Sequence, residues 1–212
     1  QEMLNEELSR HQDQNPYTDE DYFAYVDGKP RYNGVRDFFA SRGITLPEGD
    51  PSDGPAAQTI CGLGNRKNDL FNTVLARDGI QPYPGSRRWV DRLHESGMAM
   101  AVVSSSRNAA AVLKAAGMVE DFSVLVDGNR SKTERLPGKP APDTYLRGAE
   151  LLGVPAEQCV VVEDAVSGVR AGAAGGFGMV LGVNRGVGAD RLREAGADRV
   201  VDDLDEMVEE MA

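Results

Sequence analysis

This sequence predicts an α/β fold: a parallel sheet flanked by helices, preceded by an all-helical segment. Three observations carry the prediction. From about residue 86 onward, short β-branched runs alternate with helical patterns, as in a parallel sheet covered on both faces. Residues 1–82 show helical periodicity and no convincing strand. Three consecutive valines at 160–162 run straight into Glu163 and Asp164. A buried parallel strand that ends this way puts its carboxylates at the crevice where open α/β sheets bind ligands.

The elements follow in order. In the first 82 residues, MLNEELSRH, DEDYFAYV, GVRDFFASRG and GNRKNDLFNTVLARDG read as helices. The Pro-, Gly- and Asp-rich stretch LPEGDPSDGPAAQ at 46–58 reads as a loop. At YPGS, residues 83–86, the chain enters the α/β part. SRRWVDRLHESG is a helix with a glycine stop, MAMAVVS a strand, NAAAVLKAAG a helix and FSVLVDG a short strand. APDTYLRGAELLG is a helix with Pro142 in its first turn. CVVVED, AVSGVRAGAAG, MVLGV, GADRLREAG, RVV and LDEMVEEM continue strand–helix–strand to the end. The expected organisation is a helical subdomain over 1–82 and an α/β core over 83–212.

Composition narrows the function. The 34 acidic against 23 basic residues give a formal charge of −11, which disfavours nucleic acid and anionic membrane surfaces as partners. A small phosphorylated substrate remains open, because a pocket can be cationic inside an acidic protein. No apolar run approaches the roughly 18 residues that span a bilayer, and QEMLNEELSRHQ is amphipathic rather than signal-like. Two cysteines, Cys61 and Cys159, make no disulfide framework. A cytoplasmic protein, monomeric or weakly dimeric, is expected.

Four features stand where such a fold does chemistry. In AVVSSSRN, Ser104 ends a strand and Ser105, Ser106, Arg107 and Asn108 follow; hydroxyls and N–H groups ahead of a helix suit a phosphate oxygen, or simply cap the helix. In PGKPAPD, Lys139 is restrained between Gly138 and Pro140. It is either a fixed ammonium for phosphate and carboxylate charge or a loop lysine in solvent. Glu163 and Asp164 offer hard oxygens to Mg²⁺, or form a solvated turn in which Asp164 caps the next helix. Arg31 and Lys67 in the helical part read, taken singly, as surface charges.

Taken together, AVVSSSRN, GKPAPD and VVVEDAVSGVRAG, in this order and spacing, resemble the haloacid dehalogenase superfamily. The resemblance is strongest to its β-phosphoglucomutase-like branch and covers essentially the whole chain. It implies a Rossmann-like parallel-sheet core with a helical cap that closes over substrate. It also implies a Mg²⁺-dependent phosphotransferase that works through an aspartyl phosphate on small sugar phosphates. By the resemblance, Ser104 and Lys139 hold the transferring phosphate, and Glu163 and Asp164 bind Mg²⁺, Asp164 more directly. Ser105 lies on the substrate loop. Ser106 and Asn108, with Arg31, grip the non-reacting phosphate, and Lys67 touches the sugar. β-Phosphoglucomutase is the activity implied, with a sugar-phosphate phosphatase on the same scaffold as the alternative.

The family's first motif, an apolar strand followed by D-x-D-G, does not occur in these residues. Asp19-Glu20-Asp21 lacks a preceding apolar strand, and VVDDLDEM comes last and carries Glu206 in place of glycine. The nucleophile and its strand are therefore expected ahead of Gln1. A chain that lacked them altogether would be inactive, a phosphate-binding remnant.

Overall fold

The computed structural model describes residues 2–11 and 15–210. Gln1 and Gln12, at the ends of the first predicted stretch, and Met211, at the end of the last, lie outside the described residues. The chain divides into two compact units, 1–78 and 79–212.

The first unit is helical. Its elements are α1 (Glu2–Arg10), α2 (Asp19–Asp21), a π-helical turn (Tyr22–Val26), α3 (Arg31–Ser41) and α4 (Ile60–Asp78). Met3, Leu4 and Leu8 share one face of α1 and meet Phe38, Phe39 and Leu63, none of which has any exposed surface. The Tyr17 ring stands edge-on to Phe38, with centroids 5.0 Å apart. Thr18 and Asp21 form a reciprocal capping box at α2. The stretch DEDYFAYV is thus one α-turn passing into a π-turn rather than a uniform helix.

Helix α4 starts at Ile60, four residues before the sequence pattern places it. Glycines disfavour helix interiors, which hides this start. Gly64 is nevertheless required, since a Cβ there would fall 2.7 Å from the Tyr32 ring.

The second unit alternates as expected: α5 (Pro84–Glu95), β1 (Ala101–Val103), α6 (Ala109–Ala115), β2 (Val124–Val126), α7 (Gly128–Glu134), α8 (Asp143–Leu152), β3 (Val160–Glu163), α9 (Val166–Ala174), β4 (Met179–Val183), α10 (Ala189–Glu194), β5 (Arg199–Val201) and α11 (Asp205–Glu210). Helix α7 has no counterpart in the sequence reading. Its signal was Asp127, whose carboxylate accepts from the Asn129 and Arg130 N–H groups as an N-cap.

Among the described residues all strand pairs are parallel, yet the strands form two sheets rather than one. β1 pairs with β2, while β3, β4 and β5 make a three-stranded sheet with β4 at its centre. β4 is buried over four of its five residues, as a central strand should be. β3 opens on Val160, which is 53% exposed, and no residue of β1 is fully buried. Among the described residues β1 and β3 each have one edge without a strand partner. The single sheet expected from the alternation is divided there.

Helix α9 lies close on β3 and β4. A Cβ at Gly172 would stand 3.1 Å from both Val161 and Val180. Leu181, Val183, Val201 and Leu204 close the core beneath the Trp89 ring. Among the described residues no helix is long and apolar enough to cross a membrane.

Candidate functional site

The carboxyl ends of β1 and β3 are joined by one side chain. Lys139 leaves the loop before α8 and is 9% exposed. Its Nζ donates to Glu163 Oε2 at 2.7 Å and to the Val103 carbonyl, the last of β1, at 3.4 Å. Two of the three ammonium donors are thereby assigned. The side chains of Lys139 and Glu163 are 5% and 11% exposed, so the pair is largely removed from water. The alternative of a loop lysine in solvent does not describe it.

Glu163 is pinned from several sides. Oε2 also accepts a hydrogen bond from the Tyr145 hydroxyl, and Oε1 accepts from the Ala165 N–H at 3.2 Å. A Cβ at Gly168, the third residue of α9, would come within 2.2 Å of the Glu163 carboxyl carbon. Glycine at 168 therefore lets the carboxylate lie where Lys139 meets it. The Tyr145 ring is 7% exposed and has Lys139 Nζ 4.6 Å from its centroid. Burial, and then the Glu163 carboxylate, push its phenol far above the ordinary tyrosine value.

Asp164 is exposed at the end of β3. Among the described residues no group of three or more His, Cys, Asp or Glu gathers as a metal cluster. The donors at β3 are two adjacent carboxylates, of which Glu163 is engaged by Lys139, Tyr145 and Ala165 and Asp164 faces solvent. That set fits Mg²⁺, which accepts one or two carboxylates and keeps its remaining positions for water and phosphate oxygen. The expectation made Asp164 the more direct ligand of the two, and Glu163 has Lys139 as its first partner.

Beside Val103 the chain turns through Ser104–Asn108. Ser104 Oγ accepts from the Ser106 N–H at 3.2 Å, and Ser106 Oγ accepts from the Asn108 N–H at 3.1 Å. Each hydroxyl that accepts keeps a proton to donate. Gly128 N–H donates to the Ser106 carbonyl and Asn129 to the Arg107 carbonyl, which ties the turn to the start of α7. Ser105 belongs to the same turn. Asn108 stands at the N-cap of α6 without a side-chain cap bond.

In the first unit, Arg31 opens α3. Its guanidinium donates to Asn65 Oδ1 at 3.2 Å and to Asn68 Oδ1 at 2.5 Å, both on α4. Asn65 also donates to the Pro51 and Asp53 carbonyls, which anchors the 46–58 loop beside Arg31. Lys67 is exposed, yet surrounding protein and then the Arg31 guanidinium push its ammonium below the ordinary lysine value. Exposure alone would not do this, and the neighbouring like charge is the geometric part of the cause.

The aspartates of VVDDLDEM have structural duties. Asp203 pairs with Arg185 at 2.8 Å and accepts from the Asp205 N–H; Arg185 holds its carboxyl below the usual carboxylate range. Arg185 in turn lies 3.9 Å from the Tyr83 ring centroid and donates to Ser86. A Cβ at Gly85 would fall 1.6 Å from Asp203 Oδ1. Gly85→Ala should therefore destabilise the protein by about 1–3 kcal/mol through overpacking, read as a drop in melting temperature. An unchanged melting temperature would show that Asp203 moves aside at no cost.

Sequence reasoning did not single out Tyr145, Gly168, Asn65 or Asn68. Tyr145 sits in the buried stripe of α8 with Thr144, Gly148 and Ala149 and reads as core. Its hydroxyl, which a buried tyrosine must satisfy, was the available signal.

The chain is similar to known proteins over most of its length. A family model described as a haloacid dehalogenase-like hydrolase matches residues 3–176. A β-phosphoglucomutase of Mycobacterium bovis is 49% identical over 191 residues, covering 89% of this chain and 73% of that protein. Hexitol phosphatase A of Escherichia coli is 33% identical over 190 residues, covering 89% of this chain and 77% of that protein. The crystal structure of a β-phosphoglucomutase from Clostridium difficile superposes with a TM-score of 0.77 at 19% identity, over 98% of this chain and 86% of that one, and shares the fold. A buried lysine at the ends of two parallel strands, a serine turn beside it and an acidic pair opposite thus occur in a sequence matched over most of its length, and the chain belongs to the haloacid dehalogenase-like hydrolase family, in its β-phosphoglucomutase-like branch.

Proposed function

We propose that this sugar-phosphate enzyme is a β-phosphoglucomutase, which interconverts β-glucose 1-phosphate and glucose 6-phosphate through an aspartyl phosphate. The observation that carries the reading is the Lys139 ammonium, buried between the Val103 carbonyl and Glu163 beside the Ser104 turn. The 49% identity to a β-phosphoglucomutase supports the choice of reaction.

In this reading Lys139 gives its remaining N–H to an oxygen of the transferring phosphoryl group, and Ser104 and Ser105 give hydroxyl or backbone donors to the others. In the second unit Ser106 and Asn108 are proposed for the non-reacting phosphate; in the helical unit Arg31 is proposed for phosphate and Lys67 for the sugar. Asp164, with Glu163 beside it, would hold Mg²⁺, whose charge would offset that of the phosphate oxygens. The nucleophile in this reading is an aspartate of the family's D-x-D-G motif, which these residues do not contain. Its carboxylate oxygen bonds to phosphorus in line as the bond from phosphorus to the departing oxygen breaks. The second transfer returns the phosphoryl group to the other hydroxyl of the same sugar.

The 33% identity to a hexitol phosphatase favours one second reading, hydrolysis on the same scaffold. Product analysis decides. The protein carrying its nucleophile strand is given β-glucose 1-phosphate with a trace of the bisphosphate. Accumulation of glucose 6-phosphate is expected; free phosphate without it would reject the mutase.

Lys67 gives a second test. Lys67→Ala should raise KM for the sugar phosphate about tenfold, the order of one lost charge-assisted hydrogen bond. It should leave hydrolysis of a small aryl phosphate near the parent rate. Because its ammonium titrates below the ordinary lysine range, anion binding should weaken as pH rises through that lowered value, and the alanine variant should lose this dependence. Equal losses on both substrates would make Lys67 structural.

A further inference from the structure

Tyr145 sits at the node of the site without being able to reach a substrate directly. Its ring is sealed in the core, edge-on to Phe177 with centroids 6.0 Å apart. Its hydroxyl and the Lys139 ammonium share one acceptor, Glu163 Oε2. The ring face lies beneath that ammonium at 4.6 Å. A cation over an aromatic face is attracted to it, and more so when water is excluded. Tyrosine thus constrains both members of the ion pair, Glu163 through the hydroxyl and Lys139 through the ring. Phenylalanine would keep the packing and the ring but release Glu163 Oε2 from one of its two donors.

We infer that Tyr145 is a positioning residue. By holding Glu163 against Lys139, it aims the third ammonium donor at the phosphoryl group. The inference rests on the reading of Lys139 as the phosphate-binding lysine. In the absence of Tyr145 the Glu163 carboxylate gains freedom to turn toward the exposed end of β3. Lys139 would follow it or lose its second anchor.

The test is binding of inorganic phosphate, in the presence of Mg²⁺, by isothermal titration to the full chain, with melting temperature measured alongside. Tyr145→Phe should weaken phosphate about fivefold and lower melting by no more than about 4 °C, the cost of one net hydrogen bond in a chain of this size. Tyr145→Leu, which also removes the ring, should weaken it further. Phosphate affinity in the phenylalanine variant equal to the parent's would overturn the inference. So would a loss that comes with melting lowered well beyond that range, because the hydroxyl would then be serving the fold as a whole. Lys139→Ala separates this from the underlying reading. If that variant still binds phosphate normally, the lysine assignment itself fails; if it does not and Tyr145→Phe does, only the positioning role fails.

Discussion

Asp164→Ala is expected to abolish Mg²⁺-dependent phosphoryl transfer in the protein carrying its nucleophile strand, while melting stays within about a degree or two of the parent. The two halves have different causes. Asp164 is exposed at the end of β3, and an exposed side chain outside the packed layers contributes little to stability. Its chemical weight is larger. Lys139 and Tyr145 already engage Glu163 Oε2, and the Ala165 N–H engages Oε1. Asp164, the exposed carboxylate of the pair, is the one proposed to hold the cation more directly. Losing a carboxylate ligand of a Mg²⁺ that stabilises phosphoryl charge removes several kcal/mol of transition-state stabilisation, on the order of a thousandfold in rate. Titration with Mg²⁺ should show the heat of binding disappear with circular dichroism unchanged. Near-parent activity at millimolar Mg²⁺ would sink the assignment. Retained activity in Glu163→Ala together with loss in Asp164→Ala would assign the metal to Asp164 alone.

Much of the second unit is legible in the chain because its strands are short β-branched runs and its helices carry recognisable stops. VVVED and MVLGV read as strands from residue type alone, and both are strands. Elements set by a single side chain escape this kind of reading. Helix α7 depends on Asp127 as its cap, and GNRSKTE has no apolar periodicity to announce it. The start of α4 depends on Gly62 and Gly64 tolerating close neighbours, which local propensity scores the wrong way.

The same contrast runs through the site. Lys139 was legible as a restrained lysine, because glycine and proline on either side limit its backbone. Its burial was not, since that depends on Val103, Glu163 and Tyr145, which are 36, 24 and 6 positions away along the chain. Tyr145 looked apolar because its ring obeys the helical period of α8. What it does there follows from the hydroxyl, which sequence periodicity does not weigh. The division of the sheet between β1 and β3 was legible only through the family resemblance, whose first-motif strand these residues do not contain. Each strand reads as interior by composition, while its edges are decided by which other strands are present.

The other large effect belongs to the Lys139–Glu163 pair. Lys139→Met should remove phosphoryl transfer altogether and also lower stability by about 3 kcal/mol, a drop of roughly 10 °C in melting for a chain of this size. The side chain of Glu163 is 11% exposed, so removing the ammonium leaves a carboxylate that is largely out of water with only the Tyr145 hydroxyl and the Ala165 N–H as donors. The penalty comes from the stranded charge rather than from lost attraction, since a buried pair is often close to neutral against apolar replacements. The double variant Lys139→Met, Glu163→Gln should accordingly melt well above the single one. The coupling should be about 2 kcal/mol, because the amide needs no counter-charge and still accepts from Tyr145. Phosphoryl transfer should stay absent in both. Recovered stability without recovered activity separates what the pair does for the fold from what the ammonium does for phosphate. If the double variant melts no higher than Lys139→Met, the stranded-charge account is wrong and the lysine stem itself supplies the stability; if it turns over substrate, Lys139 is not the phosphate-binding group.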